Sequence, residues 1–224
     1  MNPRLLQLAS PALPVGAYSY SQGLEWAIET GAVNCALSAA AWITDHLRLV
    51  FSRFEIPLYA QAFVAWQALP AAHDELLQLN AEFLATRESS EPRAESIQVG
   101  FSYAAWCREV APLCAAQRET LAAINSPCAP VAASLAAAAC RLTARDGAMA
   151  YTFGFAENQV MVLAKALPMG QIAAQKLLFS LATAVEQGVD TALGLSREDW
   201  CSAAPLLAIA QMKHESQYSR LFRS

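Results

Sequence analysis

The sequence predicts an all-α protein, a single-domain bundle of about eight to ten helices over residues 1–224. Three observations predict it. Apolar residues recur at three- and four-residue steps through most of the chain. No run alternates apolar and polar residues over strand length. Glycine is scarce, at 9 residues, and no Asn-Gly hairpin signal occurs.

The elements follow in order. Residues 10–27, SPALPVGAYSYSQGLEWA, begin as a stiff loop: Pro11 and Pro14 fix φ, and Gly16 allows a tight turn. Ser19 and Gln22 have capping-box spacing, which predicts a helix starting at Ser19. SAAAWITDHLRLVF places Trp42, Ile43, His46, Leu47, Leu49 and Val50 on one stripe, with Ser38 as N-cap. Pro57 suits the first turn of a further helix, in which Leu58, Ala62, Ala65 and Leu69 recur. HDELLQLNAEFLATRE starts with acids and stacks Leu76, Leu79 and Phe83. RESSEPR, residues 87–93, reads as a loop, and the helix resumes after it with Gly100 tolerated inside. NSPCAP, residues 125–130, is a second turn. The Ala-rich helix after it is predicted to end at Gly147, acting as C′ glycine. Two long helices flank Pro168-Met169-Gly170, and a final helix over about residues 197–212 kinks or starts at Pro205.

Composition narrows the function. Apolar residues make up 55% of the chain and charged residues 15%, so it folds, and it carries more apolar surface than a solitary monomer conceals. A net charge of −4 argues against nucleic acid, which needs clustered cations. No stretch reads as a signal peptide or a membrane span. The six cysteines form no C-x-x-C pair and read as reduced, mostly buried thiols of a cytoplasmic protein.

Catalytic motifs do not appear. There is no phosphate-cradling glycine loop, nucleophile elbow or H-E-x-x-H. Glu25 and Glu29 lie four apart and, with His46, define the alternative of a small metal-dependent enzyme. No Glu-x-x-His from other helices completes a di-metal bundle, so two solvated or interface acids is the favoured reading. No cofactor and no resident metal are expected. A helical adaptor remains a further alternative.

Three stretches are more specific. Local structure explains the prolines and serines of residues 10–27 but not Tyr18 and Tyr20. Leu167-Pro168-Met169-Gly170-Gln171 reads as a tight interhelical turn. The tail, about residues 213–224, sets Tyr218, Leu221 and Phe222 among Arg220 and Arg223, and reads equally as a partner anchor or as a segment packed on its own domain.

Together LPVGAYSYSQGLE (residues 13–25), LPMGQ with Lys165 just ahead, and HESQYSRLFRS (residues 214–224) resemble the urease accessory protein UreF family. Phe153 and Phe155 stand where relatives often carry Tyr and Trp. The resemblance implies an all-helical, dimeric, non-catalytic scaffold. It implies that the scaffold bridges a UreD/UreH-type accessory protein and the UreG-type GTPase on the urease apoprotein. There it would support nickel insertion and modulate GTP hydrolysis. It also implies that Arg220, Leu221, Phe222 and Arg223 meet the UreD-type partner and that Lys165 belongs to the GTPase contact. The candidate partner-binding residues are thus Tyr18, Tyr20, Glu25, Lys165, His214, Tyr218, Arg220, Leu221, Phe222 and Arg223.

Overall fold

The computed structural model describes residues 2–223 and is all-helical, with no strand among them. The helices are α1 (Pro3–Leu8), α2 (Leu24–Glu29), α3 (Ala36–His46), α4 (Ile56–Gln67), α5 (His73–Ala85), α6 (Ser90–Val110), α7 (Ala115–Ala123), α8 (Ala129–Ala139), α9 (Ala144–Ala166), α10 (Gln171–Leu193) and α11 (Pro205–Glu215). A π-helical segment, Leu47–Glu55, joins α3 to α4, so these three form one continuous rod. Ser224 of the predicted tail lies outside the described residues.

At the centre lies α8, in which every residue is buried. Its run of alanines has little side-chain bulk, so α4, α6 and α9 approach it closely. Trp66 on α4 fills the space beside it, and its Nε1–H donates to the Val131 carbonyl at 3.0 Å. In the same core lie Leu58, Leu76, Leu79, Phe83 and Ile43, each buried as the helical stripes predict. α9 and α10 form an antiparallel pair around the Pro-Met-Gly turn, and α10 covers the π segment.

Pro57 marks the end of the π segment. Pro57 has no N–H, so the Arg53 carbonyl loses its partner four residues on. The Cys201 N–H takes that carbonyl at 3.0 Å, tying the stretch before α11 to the rod. The wider turn also rotates the predicted stripe. Ile43, His46, Leu47 and Val50 stay buried, while Leu49 turns outward.

Several local expectations are corrected. Cys35, not Ser38, is the N-cap of α3, and Ser38 sits at N3 with its hydroxyl accepting the Cys35 N–H at 3.1 Å. Gly147 lies inside α9, where a Cβ would come within 2.5 Å of Ala137 Cβ and the Tyr59 hydroxyl. Arg141, at φ +57°, takes the C′ position after α8. The Leu142 N–H reaches the Ala137 carbonyl at 3.1 Å and the Arg141 N–H that of Ala138 at 3.0 Å, which completes a Schellman motif. RESSEPR is a loop only to Ser89. Pro92 and Glu91 stand in the first turn of α6, where fixed φ and negative charge are both favourable. All six cysteines are free, but only Cys107, Cys128 and Cys140 are buried; Cys35 and Cys114 are exposed at helix starts.

Candidate functional site

The two ends of the chain meet in one hydrogen-bonded knot. Its first segment is the aromatic loop. Gly16, at φ +73°, opens a single 3₁₀ turn, Ala17–Ser19, and the chain then extends through Tyr20. The predicted capping box does not form. Gln22 and Gly23 take positive φ, +54° and +82°, and α2 starts only at Leu24. Gly23 answers two demands at once, because a Cβ there would also press to 3.1 Å against Ala210 of α11. Gln22 Nε2 donates instead to Glu95 Oε1 at 2.6 Å, pinning the loop to α6.

Glu25 is the centre of the knot. Four residues from Glu29, which is exposed, it faces inward and is buried, so of the two acids read as solvated or at an interface only Glu29 is solvated. Its Oε1 accepts the Leu221 N–H at 2.6 Å, and its Oε2 accepts the Phe222 N–H at 3.1 Å. The same Oε2 lies 3.1 Å from Nε2 of His214, which is fully buried on α11. The other ring nitrogen, Nδ1, lies 2.8 Å from Glu91 Oε2. Glu91 Oε1 accepts from the Arg220 guanidinium. Glu215 completes the contact with α6, accepting the Glu91 N–H and the Ser90 hydroxyl, each at 2.9 Å. These donors hold the Glu215 carboxyl below its ordinary range, the backbone N–H of Glu91 contributing most.

The tail then closes back on the loop. Arg223 N–H donates to the Ser19 carbonyl at 2.9 Å. Phe222 is buried, with the Lys165 ammonium 5.3 Å from its ring centroid. Tyr20 is buried too, and the Asn158 side-chain N–H donates to its carbonyl at 2.9 Å. Burial raises the Tyr20 phenol, and a hydrogen bond from Arg223 partly offsets this.

The candidate residues therefore divide into two groups. Tyr20, Glu25, His214 and Phe222 are internal and join α2, α9, α11 and the tail. Tyr18, Tyr218, Arg220, Leu221 and Arg223 remain accessible, with Tyr18 63% and Leu221 69% exposed and Tyr218 fully so. Lys165 is also exposed and stands over the edge of the internal group. Sequence reading missed Glu91, Gln22 as a partner of Glu95, and the Ser19 carbonyl. Glu91 carried a usable signal, an acid next to Pro92 at a helix start; a backbone carbonyl carries none.

Beside the knot lies a cavity of about 170 Å³ lined by the Ser10–Tyr18 loop, the π segment, α6 and α9. Glu55, Arg87, His46 and Tyr151 face it. The Tyr151 hydroxyl donates to Glu55 Oε1 at 2.6 Å. Burial pushes the Glu55 carboxyl up, opposed by Arg87 and by that hydroxyl. His46 stacks edge-on against Phe155 and Phe51, at 4.7 and 5.7 Å between centroids. Burial there, helped by Arg87, lowers its imidazole to about 3. Such a ring is neutral and embedded among aromatics. His46 and Glu25 are thus in separate clusters, and no group of three or more His, Cys, Asp or Glu among the described residues is arranged to hold a metal.

A family model described as UreF matches residues 33–182. The chain belongs to the UreF family. It is 47% identical over 223 residues to the urease accessory protein UreF of Azoarcus sp. strain BH72, covering 99% of this chain and 94% of that one. It is 45% identical to the corresponding protein of Dechloromonas aromatica and 44% to that of Methylibium petroleiphilum, covering 99% and 98% of this chain and 96% and 92% of theirs. The matched UreF segment runs from before α3 into α10 and contains Glu91 and Lys165 of the knot. The full-length UreF similarity extends to both chain ends, where Glu25, His214 and the tail lie. No helix of the described residues is long and apolar enough to cross a membrane.

Proposed function

We propose that this UreF-family chain is a non-catalytic scaffold of urease maturation. In this reading it works in the cytoplasm as a homodimer and bridges a UreD/UreH-type accessory protein to the UreG-type GTPase on the urease apoprotein. There it supports nickel insertion and tunes GTP hydrolysis. One observation supports the reading: α11 and the tail expose several large apolar side chains. Leu206, Ile209 and Met212 recur at three-residue steps and are 79%, 42% and 45% exposed. Tyr218 and Leu221 of the tail are exposed as well, and so is Tyr18, next to Ser19, whose carbonyl accepts the Arg223 N–H. Large apolar side chains exposed together at this end of the chain support a protein contact there.

The internal half of the knot changes how the face is tested. Removing residues 213–224 would uncover Glu25 and discard Phe222, confounding binding with folding. The double variant Tyr218→Ala, Leu221→Ala touches only exposed side chains. Co-purification with the UreD/UreH-type partner is expected to fall about tenfold or more, the effect of losing one or two interface anchors. Unchanged circular dichroism and melting would accompany it. Wild-type retention of the partner by the folded double variant would overturn the assignment of this face.

A further inference from the structure

We propose that the cavity between the Ser10–Tyr18 loop, the π segment, α6 and α9 is a binding site for a small zwitterion of the amino-acid class, with Glu55 taking the ammonium group and Arg87 the carboxylate. The inference concerns this chain alone and does not rest on the scaffold reading.

Glu55, on the π segment, and Arg87, just past α5, face the same cavity. Opposite charges that share a buried site ordinarily pair with each other. These two do not: among the described residues neither makes an ion pair. Glu55 is buried and accepts one hydrogen bond, from the Tyr151 hydroxyl at 2.6 Å. Burial raises its carboxyl, as expected of an acid short of a counter-charge. The Arg87 guanidinium lies over the Phe83 ring, 4.2 Å from its centroid, and one of its terminal nitrogens donates to the Thr86 hydroxyl at 3.2 Å. Its Nε–H is buried and finds no partner. Tyr151 and Phe83 thus fix where each charged group stands before any ligand arrives.

The cavity suits a molecule that carries both charges. Its volume of about 170 Å³ leaves room for on the order of ten non-hydrogen atoms. Val50, Phe51, Val99 and Phe155, all buried, offer an apolar wall for a short carbon chain. Tyr18 and Glu88 also line the cavity and are exposed, so it reaches the surface. A simple anion would meet the like charge of Glu55, and a simple cation that of Arg87. A zwitterion satisfies both and brings no net charge.

The other ionisable neighbours leave this pair in charge of the site. Glu95 is engaged by Gln22 Nε2 at 2.6 Å. Glu88 is exposed and Glu157 half-buried, so water screens them more than it does Glu55. His46 is neutral and adds no charge.

Four probes test this in the full chain. Two are isomers: δ-aminovalerate carries its charges at opposite ends, and norvaline carries them side by side. The other two, valerate and pentylamine, each carry one charge. Isothermal titration and ligand-observed NMR at constant ionic strength read each Kd. At least one zwitterion is expected to bind with a Kd of about 1 mM, the scale for a ligand of this size. It should bind about tenfold or more tighter than either single-charge compound, the worth of one charge-assisted hydrogen bond. Glu55→Gln should weaken the zwitterion about tenfold and leave valerate no weaker. Arg87→Gln should weaken the zwitterion likewise and leave pentylamine no weaker. A collapsed cavity would lose every probe together and so cannot produce this crossed pattern. The wild-type comparison of the four probes stands whether or not the variants fold. Failure of both zwitterions to bind the wild type, a single-charge compound binding as tightly as the better zwitterion, or folded variants that weaken every probe alike would each overturn the proposal.

Discussion

At the scale of single residues, His46 shows how burial turns an ionisable side chain into a core element. Its neighbours are aromatic, and its imidazole is lowered to about 3 against an ordinary value near 6.5. The unfolded chain therefore binds a proton here that the folded chain refuses. The contribution of His46 is complete above about pH 6.5 and is lost as pH falls toward 3. Between about pH 7.5 and pH 5 that amounts to roughly 2 kcal/mol. Urea unfolding at both pH values should show the wild type losing about 2 kcal/mol more than His46→Phe; equal losses would refute it. Buried Glu55 runs the other way. Its raised carboxyl favours the folded state toward acid, so the comparison of variants, not the raw curve, isolates His46.

At the scale of elements, periodicity located most helices because burial follows it. α5 and α10 lie where the apolar spacing and the Pro-Met-Gly turn set them, and that turn ends α9, which starts before the boundary expected at Gly147. What periodicity could not convey was long-range contact. Gly100 fits an α6 interior on propensity grounds alone, yet a Cβ there would stand 1.9 Å from the Pro127 carbonyl oxygen, in the turn before α8. Gly154 of α9 has open space in the same position. The two predict opposite outcomes. Gly100→Ala should destabilise by about 3 kcal/mol or prevent folding, since helix and turn must separate. Gly154→Ala should stabilise by about 0.5–1 kcal/mol through helix propensity. Thermal and urea melts of the two variants check both signs. The capping box failed for a related reason. Ser19 gives its carbonyl to Arg223, about two hundred residues later by chain order. No window around Ser19 contains that partner.

At the scale of the whole molecule, the candidate residues were legible as motifs but not as two groups. Tyr18 and Tyr20 are two apart in one loop, yet one is exposed and the other is core. Leu221 and Phe222 are adjacent, yet the backbone N–H groups of both serve Glu25 while only the phenylalanine ring is inside. That split depends on the tail crossing α2 and α6, which no local pattern encodes. It also separates roles within the proposed scaffold: the inner residues set where the tail lies, and the outer ones are left for a partner.

The bond from Leu221 to Glu25 spans 196 positions. A contact so distant in sequence cannot help to nucleate the bundle, because the loop it closes is ordered only after the intervening helices have packed. Its formation belongs to the downhill side of the folding barrier. Phe222→Ala should therefore leave the folding limb of the chevron unmoved and steepen nothing in it, while unfolding accelerates by the whole of the lost stability. A slowed folding limb would place the tail in the nucleus. In kinetic terms the knot is a clasp fastened last, and it governs how long the finished molecule persists while having no say in how fast it is made.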